Sequence, residues 1–442
     1  MEHHMPFTDE ELLDLARKAA DEAEVYMVTS EETPVTFEAN RLKGIMTRQS
    51  RNIALRIIKD GRIGFAVAAG PEHAQDLVDI ALETAQFGAK ASFHFMPADA
   101  YPAVAVYDDA LNAVSLDQMV KAGQAAIDMI ISHSPGVLCE AVLVKRVSTV
   151  RILNSAGTAA AGSKTVFSAR IEGALVRDTE MLFVGDALAS CHPVLDLSSL
   201  ARETIRQLEL AKSTAKAPSG EMPVVFTPRG FAQTFVAPLA AAFNGKTVLQ
   251  GASPLGQQLG QQSFDPRLTL IDDPTVPFCP GSRAFDDEGV KARPLALVER
   301  GVVRNFLYDL HAAGLAGAVS TGNAARAVGG LPAPGISVLT MLPGEVTFDE
   351  MVADISEGLV VEELLGSTQG NVLGGDFSGN VLLGYKIENG RVVGRVKDTM
   401  VAGNIYQLLK EVRAVGKEPQ WVHGTLLVPP IACHRVSVSS KV

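Results

Sequence analysis

The amino-acid sequence predicts an α+β protein of two domains. Its 442 residues exceed the size of one ordinary domain. In the first half, strand-like segments joined by hairpin turns alternate irregularly with helices, which is typical of an antiparallel sheet rather than of βαβ units. A small, polar segment with Pro and Gly, STAKAPSGEMP, precedes a second half that is mostly β. We therefore expect an N-terminal α+β domain over residues 1–212, a linker over 213–223 and a C-terminal mostly-β domain over 224–442.

Composition restricts the class of protein. The formal net charge of −11 argues against a nucleic-acid partner, because phosphate contacts need a basic surface. The four cysteines are scattered without a CxxC pair, which favours buried free thiols over a metal ribbon or disulfides. The acidic N-terminus lacks an apolar signal region, and no apolar run approaches the roughly 20 residues of a membrane span. We expect a cytoplasmic protein with no membrane partner.

The elements of the first half begin with a helix. Thr8-Asp9-Glu10-Glu11 forms a capping box, which predicts a helix from there to about Glu24. Three separate strand-like runs follow, namely VYMVTS, PVTFEANRLKGIMTR and NIALRIIKDGRIGFAVAAG. Asp60-Gly61 in the last run predicts a hairpin, because both residues tolerate positive φ.

Further helices and a strand meander complete this half. DLVDIALETAQ is typical of a helix, and a capping box at Ser115 predicts another that ends near His133. Strands follow, with a turn over residues 154–157, and LSSLARETIRQLELAKS predicts one more helix. In the second half, hairpins are predicted at Arg300-Gly301 and Asn389-Gly390. Helices are predicted after the capping box at Thr347 and over GNIYQLLKEV.

The densest acidic segment is FDDEG, which contains Asp286, Asp287 and Glu288. Adjacent carboxylates repel one another unless a cation, water or amide donors compensate. The segment therefore has two interpretations. It binds a hard cation or a substrate, or it is a solvent-exposed Asp/Gly turn. No hydrolase motif such as G-x-S-x-G or H-E-x-x-H accompanies it.

Two other polar segments are candidates for ligand contact. STGN, with Thr321, Gly322 and Asn323, could present backbone amides and an Asn side chain to a ligand, or only turn the chain. The glycine-rich GNVLGGDFSGNVLLG contains Asp376, Phe377 and Ser378 and matches no phosphate-binding loop. Its glycines permit tight turns or the close approach of another backbone, such as a bound peptide.

Taken in order along the chain, these segments resemble the TldD/PmbA family, also called the "modulator of DNA gyrase" family. The matching segments include ALRIIKDGRIGFAVA, PVVFTP, SPLGQQLG, FDDEGVKARPLALVERGVVRNFLYDL, STGNAAR and GDFSGN. The resemblance implies a two-domain α+β chain whose dimer encloses a cavity. One branch of the family is a zinc metalloprotease with His-Glu-x-x-x-His on a helix. The other, PmbA- or TldE-like, lacks that motif and pairs with the first.

The resemblance places the zinc motif on Val236, Ala237 and Ala241. These positions lie in RGFAQTFVAPLAAAFNGK, a helix-like segment without any metal-binding side chain. Alkyl groups have no lone pair for zinc, and without the metal no hydroxide forms at neutral pH. The C-terminal CGxxGQ pattern of the active branch is absent, and Cys433 is not assigned its role. We expect these three positions to be core, or to line a cavity that binds apolar side chains of an extended peptide.

The resulting hypothesis is a non-catalytic PmbA/TldE-like subunit of a metalloprotease complex that degrades unfolded or small peptides. It predicts no catalytic residue and no cofactor in this chain, with zinc expected only in a TldD-like partner. FDDEG, STGN and GDFS are its candidates for peptide contact or domain packing. The alternatives are a stand-alone homodimeric peptide-binding scaffold, and a peptidase in which Asp286, Asp287 and Glu288 hold a cation.

Overall fold

The first half of the chain forms one antiparallel sheet with helices on one face. The computed structural model describes residues 7–69, 73–177, 180–327 and 330–441. Seven strands form the sheet in the order β4-β3-β1-β5-β6-β7, and β2 pairs with the end of β1. The elements are α1 (Asp9–Ala19), β1 (Glu22–Glu38), β2 (Arg41–Ile45), β3 (Arg48–Lys59), β4 (Arg62–Ala68), α2 (Ala74–Ala85), α3 (Leu116–His133), β5 (Val137–Asn154), β6 (Ala159–Arg177), β7 (Glu180–Ser190) and α4 (Ser198–Leu210).

The two faces of this sheet have different surroundings. Side chains alternate between the faces along each strand. The apolar residues of one face, such as Val25, Leu55 and Ala141, pack against the helices. The opposite face carries Glu24 and Arg56, which are cross-strand partners in β1 and β3. We call it the open face, because no helix of the first half covers it in the described residues.

Local signals in the sequence are confirmed where they act over a few residues. The capping boxes at Thr8, Ser115 and Thr347 are all present. The predicted hairpin turns have positive φ at both central residues, for example 49° at Asp60 and 71° at Gly61. Both are required by a type I′ turn, whose twist matches that of the flanking strands. All four cysteines are buried and free, as expected.

Two predictions about element boundaries are wrong, and one strand was not predicted. The first helix ends at Ala19 rather than near Glu24, because Glu24 belongs to β1 and forms an ion pair with Arg56. The first two strand-like runs are one strand, and Pro34 lies inside it with Val144 of β5 as its partner. The edge strand β7 was not predicted at all.

The second half consists of two larger sheets and short helices. One sheet has the order β11-β10-β9-β14-β21-β20. In the other, β15 pairs with both β8 and β16, so that β15, β8, β22, β18 and β16 form a closed ring. The elements are β8 (Gly220–Phe226), α5 (Pro228–Phe243), α6 (Gly245–Leu249), β9 (Leu270–Asp272), β10 (Leu295–Glu299), β11 (Val302–Val303), α7 (Leu310–Ala316), β12 (Ala324–Ala325), β13 (Ala333–Pro334), β14 (Leu339–Met341), α8 (Phe348–Ala353), β15 (Glu357–Leu365), β16 (Asp376–Glu388), β17 (Arg391–Arg395), β18 (Thr399–Asn404), α9 (Ile405–Lys410), β19 (Val412–Val415), β20 (Gln420–Val422), β21 (Leu426–Val428) and β22 (Ile431–Ser440).

The segment proposed as a linker is held against the second half. The backbone of Arg395 exchanges hydrogen bonds with Ser213 and Ala215, and residues 220–223 are already part of β8. The division of the chain into 1–212 and 224–442 stays a prediction. None of the helices in the described part of the chain combines the length and the apolar character needed to span a bilayer.

Candidate functional site

The segments FDDEG and STGN meet in one buried cluster. Asp286 accepts hydrogen bonds from the backbone N–H of Glu288 through Oδ1 and from that of Ala324 through Oδ2, both at 2.9 Å. Asp287 Oδ2 accepts from the backbone N–H of Arg326 at 2.7 Å. Carboxylate-to-amide bonds of this kind are charge-assisted and stronger than neutral ones. They fasten the two segments to each other.

The same cluster joins the two halves of the chain. Arg56 Nη1 donates to Glu288 Oε1 at 2.6 Å, and its Nη2 donates to Glu24 Oε2 at 3.0 Å. Arg326 forms a second ion pair with Glu24. Burial alone would raise the pKa of Glu24, but the guanidinium groups of Arg326 and Arg56 outweigh it and lower that pKa. The open face of the first sheet is thus fixed to FDDEG by alternating charges.

The interpretation of FDDEG as a solvent-exposed turn is wrong. Asp286 is 0% exposed and Glu288 is 1% exposed. Burial raises the pKa of Asp286 to about 7, with the Glu288 carboxylate as the second cause. Glu288 Oε2 accepts the backbone N–H of Leu310 at 2.7 Å, so both of its oxygens have donors within the fold. This geometry supports a packing role, while contact with a cation or a peptide stays a prediction.

STGN is held by hydrogen bonds to other segments of the second half. The Thr321 hydroxyl accepts the backbone N–H of Tyr308 at 2.8 Å, and Asn323 Nδ2 donates to Asp272 Oδ2 at 2.6 Å. Gly322 has a φ of 77°, a conformation that favours glycine. Since Thr321 and Asn323 are 7% and 2% exposed, their polar atoms are directed into the protein.

GDFS lies outside this cluster, at the start of β16. Phe377 is buried, and its ring packs 6.2 Å from that of Phe226 and 6.3 Å from that of Phe235 in α5. Asp376 and Ser378 are exposed on either side of it along the strand. The structure therefore places Phe377 beneath α5 and does not bring GDFS together with FDDEG and STGN.

The helix α5 has one face in the core and one face outside it. Thr227 caps its N-terminus and Pro228 occupies the first turn. Phe235 stacks on Phe231 with ring centroids 4.8 Å apart, and both rings are fully buried. Pro238 lies inside the helix, which continues through it to Phe243.

The outer face of α5 carries residues spaced four apart, which lie in line on a helix. They are Arg229, Gln233, Ala237 and Ala241. We call this line the α5 stripe. Ala237 is exposed and Ala241 half-buried, whereas Val236, at the flank of the stripe, packs against the core. Two of the three positions assigned to the zinc motif therefore face outward, and one belongs to the edge of the core.

The residues at these positions do not fit a zinc ion. Zinc in proteins is bound by N, O or S atoms at about 2.0–2.3 Å, and methyl groups offer none of these. Cys433 lies in β22 with 0% exposure, and burial raises the pKa of its thiol to about 12, so it is not a thiolate near neutral pH. In the described ranges, no group of three His, Cys, Asp or Glu side chains is arranged to hold a metal ion.

A cleft of about 520 Å³ opens beside the first turns of α5, against the open face of the first sheet. Arg229 Nη2 donates to Glu363 Oε2 at 2.9 Å, and Arg229 also donates to the carbonyl oxygen of Gly185 in β7. Gln233 Oε1 accepts the backbone N–H of Leu364 at 2.8 Å. These bonds hold the start of the α5 stripe between β7 and β15. The charged lining residues are Glu38, Glu140, Arg170, Glu172, Asp186, Arg229 and Glu363.

The electrostatic character of the cleft is acidic. Burial raises the pKa of Asp186, and partial burial together with Arg229 and Arg170 lowers the pKa of His423, another lining residue. The five carboxylates of the lining outnumber its two guanidinium groups.

A second, smaller cavity of about 310 Å³ continues along β7. It is mostly apolar, and Trp421 lines both cavities. Trp421 is 44% exposed and is the middle residue of β20, which leads into a tight turn at His423 and Gly424 with φ values of 52° and 68°. The apolar lining residues are Leu188, Val194, Pro277, Phe278, Pro280 and Trp421.

The sequence reasoning missed this region. The sequence contains two signals for it, namely the single tryptophan of the chain and the positions of Gln233 and Arg229 one and two helical turns before Ala237. Neither signal identifies β7, Glu363 or Trp421 as neighbours of α5, because those contacts join segments more than 40 residues apart.

Comparison with known proteins places the chain among metallopeptidase relatives. The sequence model described as "PmbA/TldA metallopeptidase C-terminal domain" matches residues 219–440, and "PmbA/TldA metallopeptidase domain 1" matches residues 23–85. An uncharacterised protein of Methanocaldococcus jannaschii is 27% identical over 427 residues, which span 96% of this chain and 97% of that one. A protein of Methanothermobacter thermautotrophicus named "Metalloprotease" is 27% identical over 90% of this chain and 88% of its own.

A solved structure shares the fold over nearly the full length. The crystal structure of TldE from Thermococcus kodakarensis superposes with a TM-score of 0.89 at 24% identity, and covers 98% of this chain and 99% of that one. The predicted α+β fold class and the resemblance seen in the sequence are both confirmed.

Proposed function

The chain belongs to the PmbA/TldD metallopeptidase family, and from this premise we propose that it is a non-catalytic, TldE-like subunit of a peptide-degrading complex. In this role it shapes the chamber and presents an extended, unfolded peptide to a zinc-bearing TldD-like partner. Peptide hydrolysis then takes place on the partner's metal.

The observation that carries this proposal is the composition of α5 at the α5 stripe and its flank. Where the resemblance expects imidazole and carboxylate groups, the helix presents Val236, Ala237 and Ala241. A metalloprotease needs about three protein ligands to hold zinc and lower the pKa of its bound water to about 7. Val236, Ala237 and Ala241 supply none.

Peptide presentation is supported by the cleft beside α5. Its volume, about 520 Å³, lies in the range of ligand pockets, and backbone and side-chain polar groups line it together with apolar surface. It starts at Arg229 and Gln233, on the same stripe as the degenerate positions. A peptide held there would run past the part of the helix at which an active relative carries its metal.

The test combines cleavage and association assays. The purified chain is incubated with Zn²⁺ and a reduced, alkylated unfolded polypeptide, alone or with a TldD-like protein that carries the full His-Glu-x-x-x-His motif. We expect no cleavage by the chain alone. The two proteins together should give cleavage that stops when the motif Glu of the partner is replaced by Gln.

Turnover by the isolated chain that a chelator abolishes would overturn the proposal. A chain that elutes as a homodimer and neither binds nor stimulates the TldD-like protein would favour the stand-alone scaffold instead.

A further inference from the structure

Two cavities follow one another along β7 and share one side chain. The acidic cleft is lined by β7 residues up to Ala187, and the apolar cavity by β7 residues from Leu188 onward. Trp421 lines both of them and is partly exposed between them. We refer to the two cavities together as the β7 groove.

The acidic part of the β7 groove has one exposed carboxylate, Glu140, without an ion-pair partner in the described residues. Arg170 pairs with Glu172, and Arg229 pairs with Glu363. Asp186 opposes the buried Ile171 on the helix side of the sheet, where the charges of Arg229 and Arg206 partly offset the rise in its pKa that burial causes. A cation that enters the cleft therefore gains attraction chiefly from Glu140.

The apolar part of the groove suits one large apolar side chain. Its lining is dominated by Leu188, Val194, Phe278, Pro280 and Trp421, and its volume is about 310 Å³. Transfer of a Leu or Phe side chain from water into such a site contributes roughly 1.5–3 kcal/mol. The exposed part of the Trp421 ring adds aromatic surface at the entrance.

The distance between the two parts corresponds to a short stretch of extended chain. Asp186 and the start of the apolar cavity at Leu188 and Ala189 lie two to three residues apart on β7. At about 3.3 Å per residue this amounts to about 7–10 Å. A peptide that runs along β7 in extended form covers it with the same number of residues.

We propose that the β7 groove selects extended peptides that carry a Lys or Arg and, two to three residues away, a large apolar side chain. The basic side chain lies near Glu140, and the apolar one fills the cavity beside Trp421. This inference rests on the proposed function, since it names the class of peptide that the chain presents.

Trp421 provides a direct readout, because it is the single tryptophan of the chain. Synthetic Gly/Ser-rich peptides with Lys and Phe three residues apart are titrated into the full-length protein while its tryptophan fluorescence is recorded. Replacing the peptide's Lys by Glu should weaken binding about tenfold at low salt, because attraction becomes repulsion. Replacing its Phe by Ser should weaken binding by a similar factor.

Protein variants separate the two parts of the groove. Glu140→Gln should weaken the Lys/Phe peptide about threefold to tenfold and leave a Gln/Phe peptide unaffected, whereas Asp186→Asn, on the other face of β7, should have a smaller effect on the Lys/Phe peptide. Glu83→Gln, at an exposed carboxylate of α2 on the helix side of the sheet, is the matched control and should change nothing. Because Glu140 is exposed, its variant is expected to fold even if Asp186→Asn does not.

The outcomes distinguish the proposed peptide selectivity from the proposed role in peptide presentation. If peptides bind with equal affinity whatever their charge and apolar content, the selectivity of the β7 groove is refuted. The proposed role in peptide presentation is not affected by that result. If no unfolded peptide binds the chain, alone or with its partner, presentation itself fails. If Glu140→Gln weakened the binding of the Lys/Phe and Gln/Phe peptides equally, Glu140 would not be the group that binds the basic side chain.

Discussion

At the scale of single residues, Arg56 is a buried charge held by two ion pairs and two aromatic rings. Its guanidinium group lies between the carboxylates of Glu24 and Glu288, and the side chains of all three are at most 3% exposed. The ring centroids of Phe93 and Phe95 lie 4.9 and 5.0 Å from the guanidinium carbon. Replacing all members of a buried ion pair by apolar residues often leaves the stability unchanged or increases it. Removing only one member is strongly destabilising, because it leaves the opposite charge buried and unpaired.

Arg56→Met therefore should lower the free energy of unfolding by about 3–5 kcal/mol, because Glu288 keeps its burial and loses its cation. Arg48→Met is the matched control, since it lies on the same strand with a side chain that is 64% exposed. That control should change the free energy by less than about 0.5 kcal/mol. Urea denaturation at pH 7 measures both, and equal effects would show that the buried network is not what joins β3 to FDDEG.

At the scale of elements, α5 has a packed inner face and an outer face that is partly exposed. Its inner face is an aromatic cluster in which Phe235 packs on Phe231, Phe226 and Phe377. Its outer face is the α5 stripe, which borders the cleft and offers no group that can bind zinc. The inner face fixes the helix, so the outer residues can differ without loss of fold.

We expect Phe235→Ala to cost about 3–5 kcal/mol of stability, because it leaves a cavity among three other rings. Ala237→Ser, two positions further along the same helix but exposed, should cost less than about 0.5 kcal/mol. Thermal or urea unfolding of the two variants measures both losses of stability. A large loss in Ala237→Ser would mean that the stripe is packed and not a surface.

Some elements were predictable from local signals in the sequence, whereas others depend on long-range contacts. Capping boxes at Ser115 and Thr347 and the turn at Asp60-Gly61 were predictable because their hydrogen bonds and φ values involve residues within four positions of one another. The end of α1, the continuity of β1 through Pro34 and the burial of FDDEG were not. Each depends on a residue far along the chain. Arg56, for example, is the ion-pair partner of both Glu24 and Glu288. The sequence also could not predict which face of α5 carries Ala237. That orientation depends on contacts with Phe377 and Glu363, which lie far along the chain.

At the scale of the whole molecule, charge pairs of the described residues cross between the two halves at three places. One pairs Lys397 with Glu180 of β7, and two others lie beside the candidate sites. Of these two, one is the Arg56 network. The other joins Arg206 of α4 to Glu362 of β15, where Glu362 is 2% exposed. The cleft beside α5 opens near the second contact, with Arg229 and Glu363 on its wall. The two halves therefore build one groove, as a presenting subunit requires, while the reactive metal is expected on another chain.

The measurement that tests this account most directly is the zinc content of the purified full-length chain. The protein is equilibrated with Zn²⁺, dialysed exhaustively and subjected to elemental analysis beside a TldD-like homologue that carries the full motif. The account predicts zinc far below one equivalent per chain here, and about one equivalent in the homologue, because Val236, Ala237 and Ala241 have no donor atoms. One equivalent of zinc that stays bound to this chain through dialysis would contradict it.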